Sequence, residues 1–141
     1  MKEEIKSIIV NFPFEGEFID YYPVNNGHIN DTFVIEFENK FGEINSFLLQ
    51  KINVSVFKNP DELMKNILGV TDFLKKKIIK SGGDPDRECL TVIKTKDGQP
   101  FFYDERFGHW RCYNYISDSY SIDFISSPEV FMNAAKAFGK F

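Results

Sequence analysis

The sequence predicts an α+β domain in which an antiparallel sheet of about five strands carries one packed helix, with a further helix at the C-terminal end. Three observations predict it. Short runs rich in Phe, Ile, Val and Tyr, separated by Gly, Asn and Asp, read as strands of a meander, and the 16 phenylalanines suit half-buried sheet positions. Two segments opening at Asn59-Pro60 and Ser127-Pro128 carry apolar residues at helical spacing. The 141 residues, 43% of them hydrophobic, suffice for one compact domain and its core.

In chain order, Ile5, Ile8, Ile9 and Phe12 mark a first helix over 2–12, stopped by Pro13. Residues 17–24 read as a strand. A polar loop, Asn25 to Asp31, leads to a second strand at 32–38. Asn39 to Gly42 make a turn, and a third strand spans 47–53. Asn59 can cap the next helix, Pro60 fits its first position, and Asp61 and Glu62 favour its positive end. Leu63, Ile67, Val70, Phe73, Leu74 and Ile78 define its expected buried face, and Ser81-Gly82-Gly83 ends it. Asp84-Pro85-Asp86 reads as a turn before a fourth strand at 88–95. Asp97-Gly98 is a hairpin signal, with strands at 100–105 and 109–116 following. Residues 117–127 form a connector. Phe131, Ala134, Ala135 and Phe138 then mark the last helix, which looks like the start of a further unit.

The formal charge is −4, from 17 basic and 21 acidic side chains, which gives no general attraction for nucleic acid or anionic lipid. Cys89 and Cys112 have no metal-type spacing and read as reduced core residues. No secretory signal or membrane-length apolar run stands out, so a cytoplasmic setting is expected.

The motifs carry more than the layout. Asn26-Gly27-His28-Ile29-Asn30-Asp31-Thr32 resembles the phosphate-covering loop of aminoglycoside-phosphotransferase and choline-kinase-like enzymes. Phe47 to Asn53, Val56-Phe57-Lys58-Asn59-Pro60, Met64-Lys65-Asn66-Ile67 and His109-Trp110-Arg111-Cys112-Tyr113 resemble the N-acetylhexosamine 1-kinase branch. The resemblance runs from about Gly16 to Phe141. It implies a protein-kinase-like small lobe at 1–116, a hinge at 117–127 and the start of a catalytic lobe at 128–141. It also implies ATP as cofactor, with Mg²⁺ held by the other lobe, and a sugar hydroxyl as acceptor. The family's His-x-Asp-x-x-x-x-Asn catalytic loop does not occur in this chain, so no catalytic residue or metal ligand is assigned and the chain is not expected to be competent alone. The rival reading is a non-catalytic nucleotide-binding or protein-interaction module, with dimerisation through an exposed last helix.

The resemblance assigns nucleotide contacts to named positions. Gly27, His28, Ile29 and Asn30 would present backbone N–H groups to phosphate oxygens, helped by the Thr32 hydroxyl, since phosphate needs close backbone approach. His28 has no Asp or Ser partner set by spacing, so ordering the turn or touching phosphate fits it better than acid–base work. Side chains alternate along a strand, so Gln50 and Lys51 face opposite ways. Lys51 has the charge for the phosphates, whereas register against choline-kinase-like sequences puts Gln50 in that slot. Glu62 would pair with the lysine, with Asn66 as the alternative. Tyr113, Tyr115 and Ile116 would form the hinge along the adenine edge, and Val34, Leu49 and Ile116 could sandwich the base.

Overall fold

The computed structural model describes residues 1–25 and 27–141; Asn26, part of the loop motif, lies outside the described residues. The chain is α+β, with an open antiparallel sheet and several helices, in broad agreement with the small kinase-like lobe expected from the sequence. Its elements are α1 (Lys2–Ile9), β1 (Glu17–Val24), β2 (Asp31–Glu38), β3 (Ile44–Lys51), α2 (Pro60–Lys80), α3 (Pro85–Glu88), β4 (Val92–Ile93), β5 (Phe102–Asp104), β6 (Gly108–Asn114) and α4 (Pro128–Lys140). The six-stranded sheet runs β1-β2-β3-β6-β4, and β5 pairs with β6 beyond the end of β4. All pairings are antiparallel.

Burial of α1 sets the sheet's two faces. Ile5, Ile8, Ile9 and Phe12 are buried against Phe33, Ile35 and Phe37 of β2, Leu49 of β3, and Trp110 and Cys112 of β6. The register agrees: Phe33 lies opposite Leu49, Ile35 opposite Phe47, and Leu49 opposite Cys112. With a side-chain period of two, the intervening residues project to the other face. Phe14 adds ring contacts to Phe12, Phe37 and Phe47, with centroids 5.7, 4.7 and 4.6 Å apart. Gly16 permits the close approach that starts β1. Its φ is +97°, and a Cβ there would lie 2.1 Å from the Glu38 carbonyl oxygen.

α2 meets the opposite face at Arg111 of β6, whose Nη1 lies 3.8 Å from Met64 Sδ. The N-cap of α2, Asn59, accepts from the Glu62 N–H with Pro60 in the first turn, as the sequence predicts. The buried face differs from the predicted one. Met64 and Thr71 are its buried residues, whereas Val70 and Phe73 are 47% and 66% exposed. Leu63, Ile67, Leu74 and Ile78 are half-buried. A stripe through 64 and 71 is as helical as one through 63, 67, 70 and 74, and packing chooses between them.

The fourth strand is also shorter than the predicted 88–95: Glu88 belongs to the helical turn α3, and pairing is confined to Val92–Ile93. Asp84 accepts from the Asp86 N–H at 3.0 Å, and the Glu88 carboxylate accepts from the Asp84 N–H at 2.6 Å. This reciprocal cap closes the turn, and only Val92–Ile93 remain to pair with β6. The sheet has six strands, in line with the strand segments read from the sequence, and α1 packs on it in addition to the expected α2. The Asp97-Gly98 turn forms as expected, with the Gly98 N–H donating to Thr95 O at 2.9 Å and φ +76° at Gly98. The Lys96 N–H donates to Asn11 O at 2.9 Å, tying this turn to the end of α1.

Cys89 and Cys112 are free and buried. Burial raises both thiol pKa values, that of Cys112 far above its ordinary range. Neither thiol should react with a thiol reagent in the folded protein, and both should react after denaturation. Ile8→Ala should cost about 2–5 kcal/mol in urea unfolding, while Val70→Ala should stay within about 0.5 kcal/mol; a large Val70 effect would restore the predicted helix face.

Candidate functional site

The face opposite α1 carries two adjacent cross-strand rows. The first is polar: Thr32 of β2 lies opposite Gln50 of β3, which lies opposite Arg111 of β6. The second is apolar: Val34, Leu48 and Tyr113 occupy the same strands two residues on. The polar row borders the β1–β2 loop that contains Gly27. The apolar row borders the segment leaving β6 through Tyr115 and Ile116.

Hydrogen bonds join the polar row end to end. Gln50 Nε2 donates to Thr32 Oγ1 at 2.8 Å. Gln50 Oε1 accepts from Arg111 Nε at 2.8 Å and from Nη2 at 2.6 Å. Arg111 Nη1 reaches Met64 Sδ of α2 at 3.8 Å, and its guanidinium lies 5.3 Å from the Tyr113 ring centroid. Arg111 is only 7% exposed, and burial lowers its pKa. Among the described residues it makes no ion pair, since both salt bridges lie elsewhere. The buried Tyr113 hydroxyl is pushed up, first by desolvation.

Gln50 and Lys51 part to opposite faces of the sheet, as alternation requires. Gln50 stands on the α2 face, and Lys51 is on the α1 face. Lys51 Nζ is 3.3 Å from Glu4 Oε1 and 5.5 Å from the Trp110 ring centroid. The expected Lys51–Glu62 pair does not form. Glu62 is exposed at the start of α2, where its N–H is taken by the Asn59 cap; Asn66 is likewise exposed. Leu49 is fully buried in the core and cannot reach a base on the other face, where Leu48 stands instead.

The loop is anchored by its last residues. Asn30 Oδ1 accepts from the Asn53 N–H at 2.8 Å, and Asn53 Nδ2 donates to Ile29 O at 3.0 Å. The loop thereby sits over the chain leaving β3, and a shallow cleft lined by Pro23, Gly27, Asn30 and Thr32 lies beside it. Gly27, His28 and Ile29 are exposed. A Cβ on Gly27 would meet only Asn30 O, at 3.8 Å, so space does not require glycine there.

The hinge residues separate. Tyr113 lies within the sheet between β3 and β4, so it is a wall of the site rather than part of the connector. Tyr115 and Ile116 follow the end of β6. The strand end is fixed by Asn114, whose Oδ1 accepts from the Thr91 N–H at 2.7 Å and whose Nδ2 donates to Asp86 O at 2.9 Å. Arg87 Nη2 holds Ser117 O at 3.0 Å, so α3 positions the start of the connector.

Among the described residues no three His, Cys, Asp or Glu side chains cluster to hold a metal. No helix is long and apolar enough to cross a membrane. No protein-family model matches this chain.

Sequence reasoning missed Arg111, Asn53 and Leu48. Arg111 was legible as a lone cation in an apolar strand, two residues from Tyr113. Gln50→Leu should cost about 1–3 kcal/mol in urea unfolding, because it strips a buried guanidinium of its oxygen acceptor. Lys51→Met should cost no more than about 1 kcal/mol, because its ion pair is partly exposed. The reverse ranking would mean that the two side chains have exchanged faces.

Proposed function

We propose that this chain is the ATP-binding lobe of a small-molecule kinase that transfers the γ-phosphoryl group to a sugar hydroxyl, the anomeric hydroxyl of an N-acetylhexosamine. The observation that carries this reading is the order of features across one sheet face. A glycine-containing loop, a polar row with a buried cation, an apolar row and a strand-to-connector exit follow one another, the order a nucleotide needs from phosphates to base. The loop backbone and Thr32 would face the phosphates. Val34 and Leu48 would pack on the purine, and backbone groups near Tyr115 and Ile116 would meet its edge.

In the reaction the acceptor oxygen bonds to the γ-phosphorus as the bond to ADP breaks, and the hydroxyl proton passes to a base. This chain's groups position phosphates and neutralise charge. The base and the Mg²⁺ ligands would come from a second lobe, since the His-x-Asp-x-x-x-x-Asn loop is absent from these residues.

A second reading, a protein-interaction module, draws on the connector and α4. Tyr120, Phe124, Phe131 and Phe138 are 86%, 87%, 60% and 83% exposed, and α4 buries no residue. Exposed apolar area of this kind favours a covering protein surface, whether a second lobe or another copy of the chain.

ATP at about a hundred times its dissociation constant should add about 2.7 kcal/mol to the stability of the 141-residue chain, read as a rise in Tm. Turnover of N-acetylhexosamines should require a longer protein carrying this lobe. Absence of any ATP-dependent shift at millimolar concentration, together with a concentration-dependent mass, would favour the interaction module.

A further inference from the structure

We infer that Arg111 of β6, held in place by Gln50 of β3, is the cation of a polyphosphate site on the α2 face, and that Lys51 takes no part in it. The inference rests on the nucleotide reading for its full ligand, but its geometry stands without it.

Arg111 has three features that together call for an anion. It is more than nine-tenths buried. Its partners are neutral: an amide oxygen accepting from Nε and Nη2, a thioether near Nη1, and the Tyr113 ring. Its position is fixed from both sides, because Gln50 is itself tethered to Thr32. A buried charge without a counter-charge is costly, and a protein rarely keeps one unless a ligand completes it. The guanidinium presents five donors in a planar fork suited to two phosphate oxygens. Gln50 Oε1 occupies that fork, and an amide can turn aside more cheaply than a carboxylate. A resident carboxylate there would have closed the site to anions.

Direction of approach follows from the row. Its far end is Thr32, the second residue of β2, beside the Gly27–Asn30 loop. An anion entering under that loop would meet the Thr32 hydroxyl, the Gln50 amide and then the guanidinium. The acidic groups on this face include Asp20 of β1, opposite Glu36, then Glu36 itself, engaged by the Tyr22 hydroxyl at 3.1 Å, Glu38 at the end of β2, and the exposed Glu62 of α2. Among the described residues none of them makes an ion pair with Arg111. Lys51 is excluded by parity and by its contacts with Glu4 and Trp110.

The test is calorimetric titration of the 141-residue chain with inorganic tripolyphosphate and, separately, ATP. Arg111→Gln should weaken tripolyphosphate binding at least about tenfold, the loss expected for a charge-assisted contact, and Lys51→Gln should leave it within about twofold. Arg111-dependent tripolyphosphate binding without tighter binding of ATP would keep the anion site and remove the nucleotide reading. ATP binding equally well to the native chain and to Arg111→Gln would overturn the inference and leave the nucleotide reading standing. Failure of the native chain to bind millimolar tripolyphosphate would also overturn it. If Arg111→Gln does not fold, Met64→Glu supplies an internal carboxylate beside Nη1. It should abolish tripolyphosphate binding, and undiminished binding in that variant would contradict the assignment.

Discussion

Ile5, Ile8 and Ile9 of α1 press on Phe33, Leu49, Trp110 and Cys112, and that contact fixes the parity of three strands at once. Once those side chains face α1, Thr32, Gln50 and Arg111 must face the other way, because a strand cannot turn one residue without turning its neighbours. The core is therefore the reason the polar row exists. A slip of one residue in β3 would exchange Gln50 for Lys51, at the cost of exposing Leu49 and Phe47. Lys51 is held on its own side as well, with Glu4 near its ammonium and Trp110 beneath it. Burial on the α1 face thus decides which side chains stand on the other.

The two sheet faces differ in how completely they are closed. The buried core on the α1 side is mostly aromatic and aliphatic, with the Lys51–Glu4 pair at its rim. The α2 side is held by sparser contacts: Met64 over Arg111, Cys89 Sγ donating to Thr71 O at 3.8 Å, and Lys75 to the Thr91 hydroxyl. α2 is thus anchored at a few points beside a buried, neutral-partnered cation, whereas α1 could not move without opening the core. The reciprocal cap at Asp84–Glu88 extends this logic toward the connector, since α3 fixes Asn114 and Ser117 through Asp86 and Arg87.

Much of the fold was legible in the sequence, because strong local signals agreed with long-range packing. β1 occupies its predicted residues, Asn59 caps its helix as read, the last helix opens at Ser127-Pro128 where read, and the Asp97-Gly98 turn closes. The failures fall where local signals were balanced. Two helical stripes were available in α2, and only the sheet could choose Met64 and Thr71 over Val70 and Phe73. Residues 88–95 looked like one strand, yet α3 took Glu88 and only Val92–Ile93 paired. The site was half legible. Alternation established that Gln50 and Lys51 part company, but not which of them faced α2. Charge alone favoured Lys51, and nothing local linked Gln50 to Arg111 across 61 positions of chain.

The most direct measurement of the central claim is an NMR titration that follows the Arg111 Nε–H and Lys51 Nζ resonances as ATP is added. The two-faced register predicts a large, saturable shift at Arg111, a smaller one along Gln50 and Thr32, and an unmoved Lys51. A shift at Lys51 with Arg111 unchanged would contradict it, placing the ligand on the α1 face and the register out by one residue.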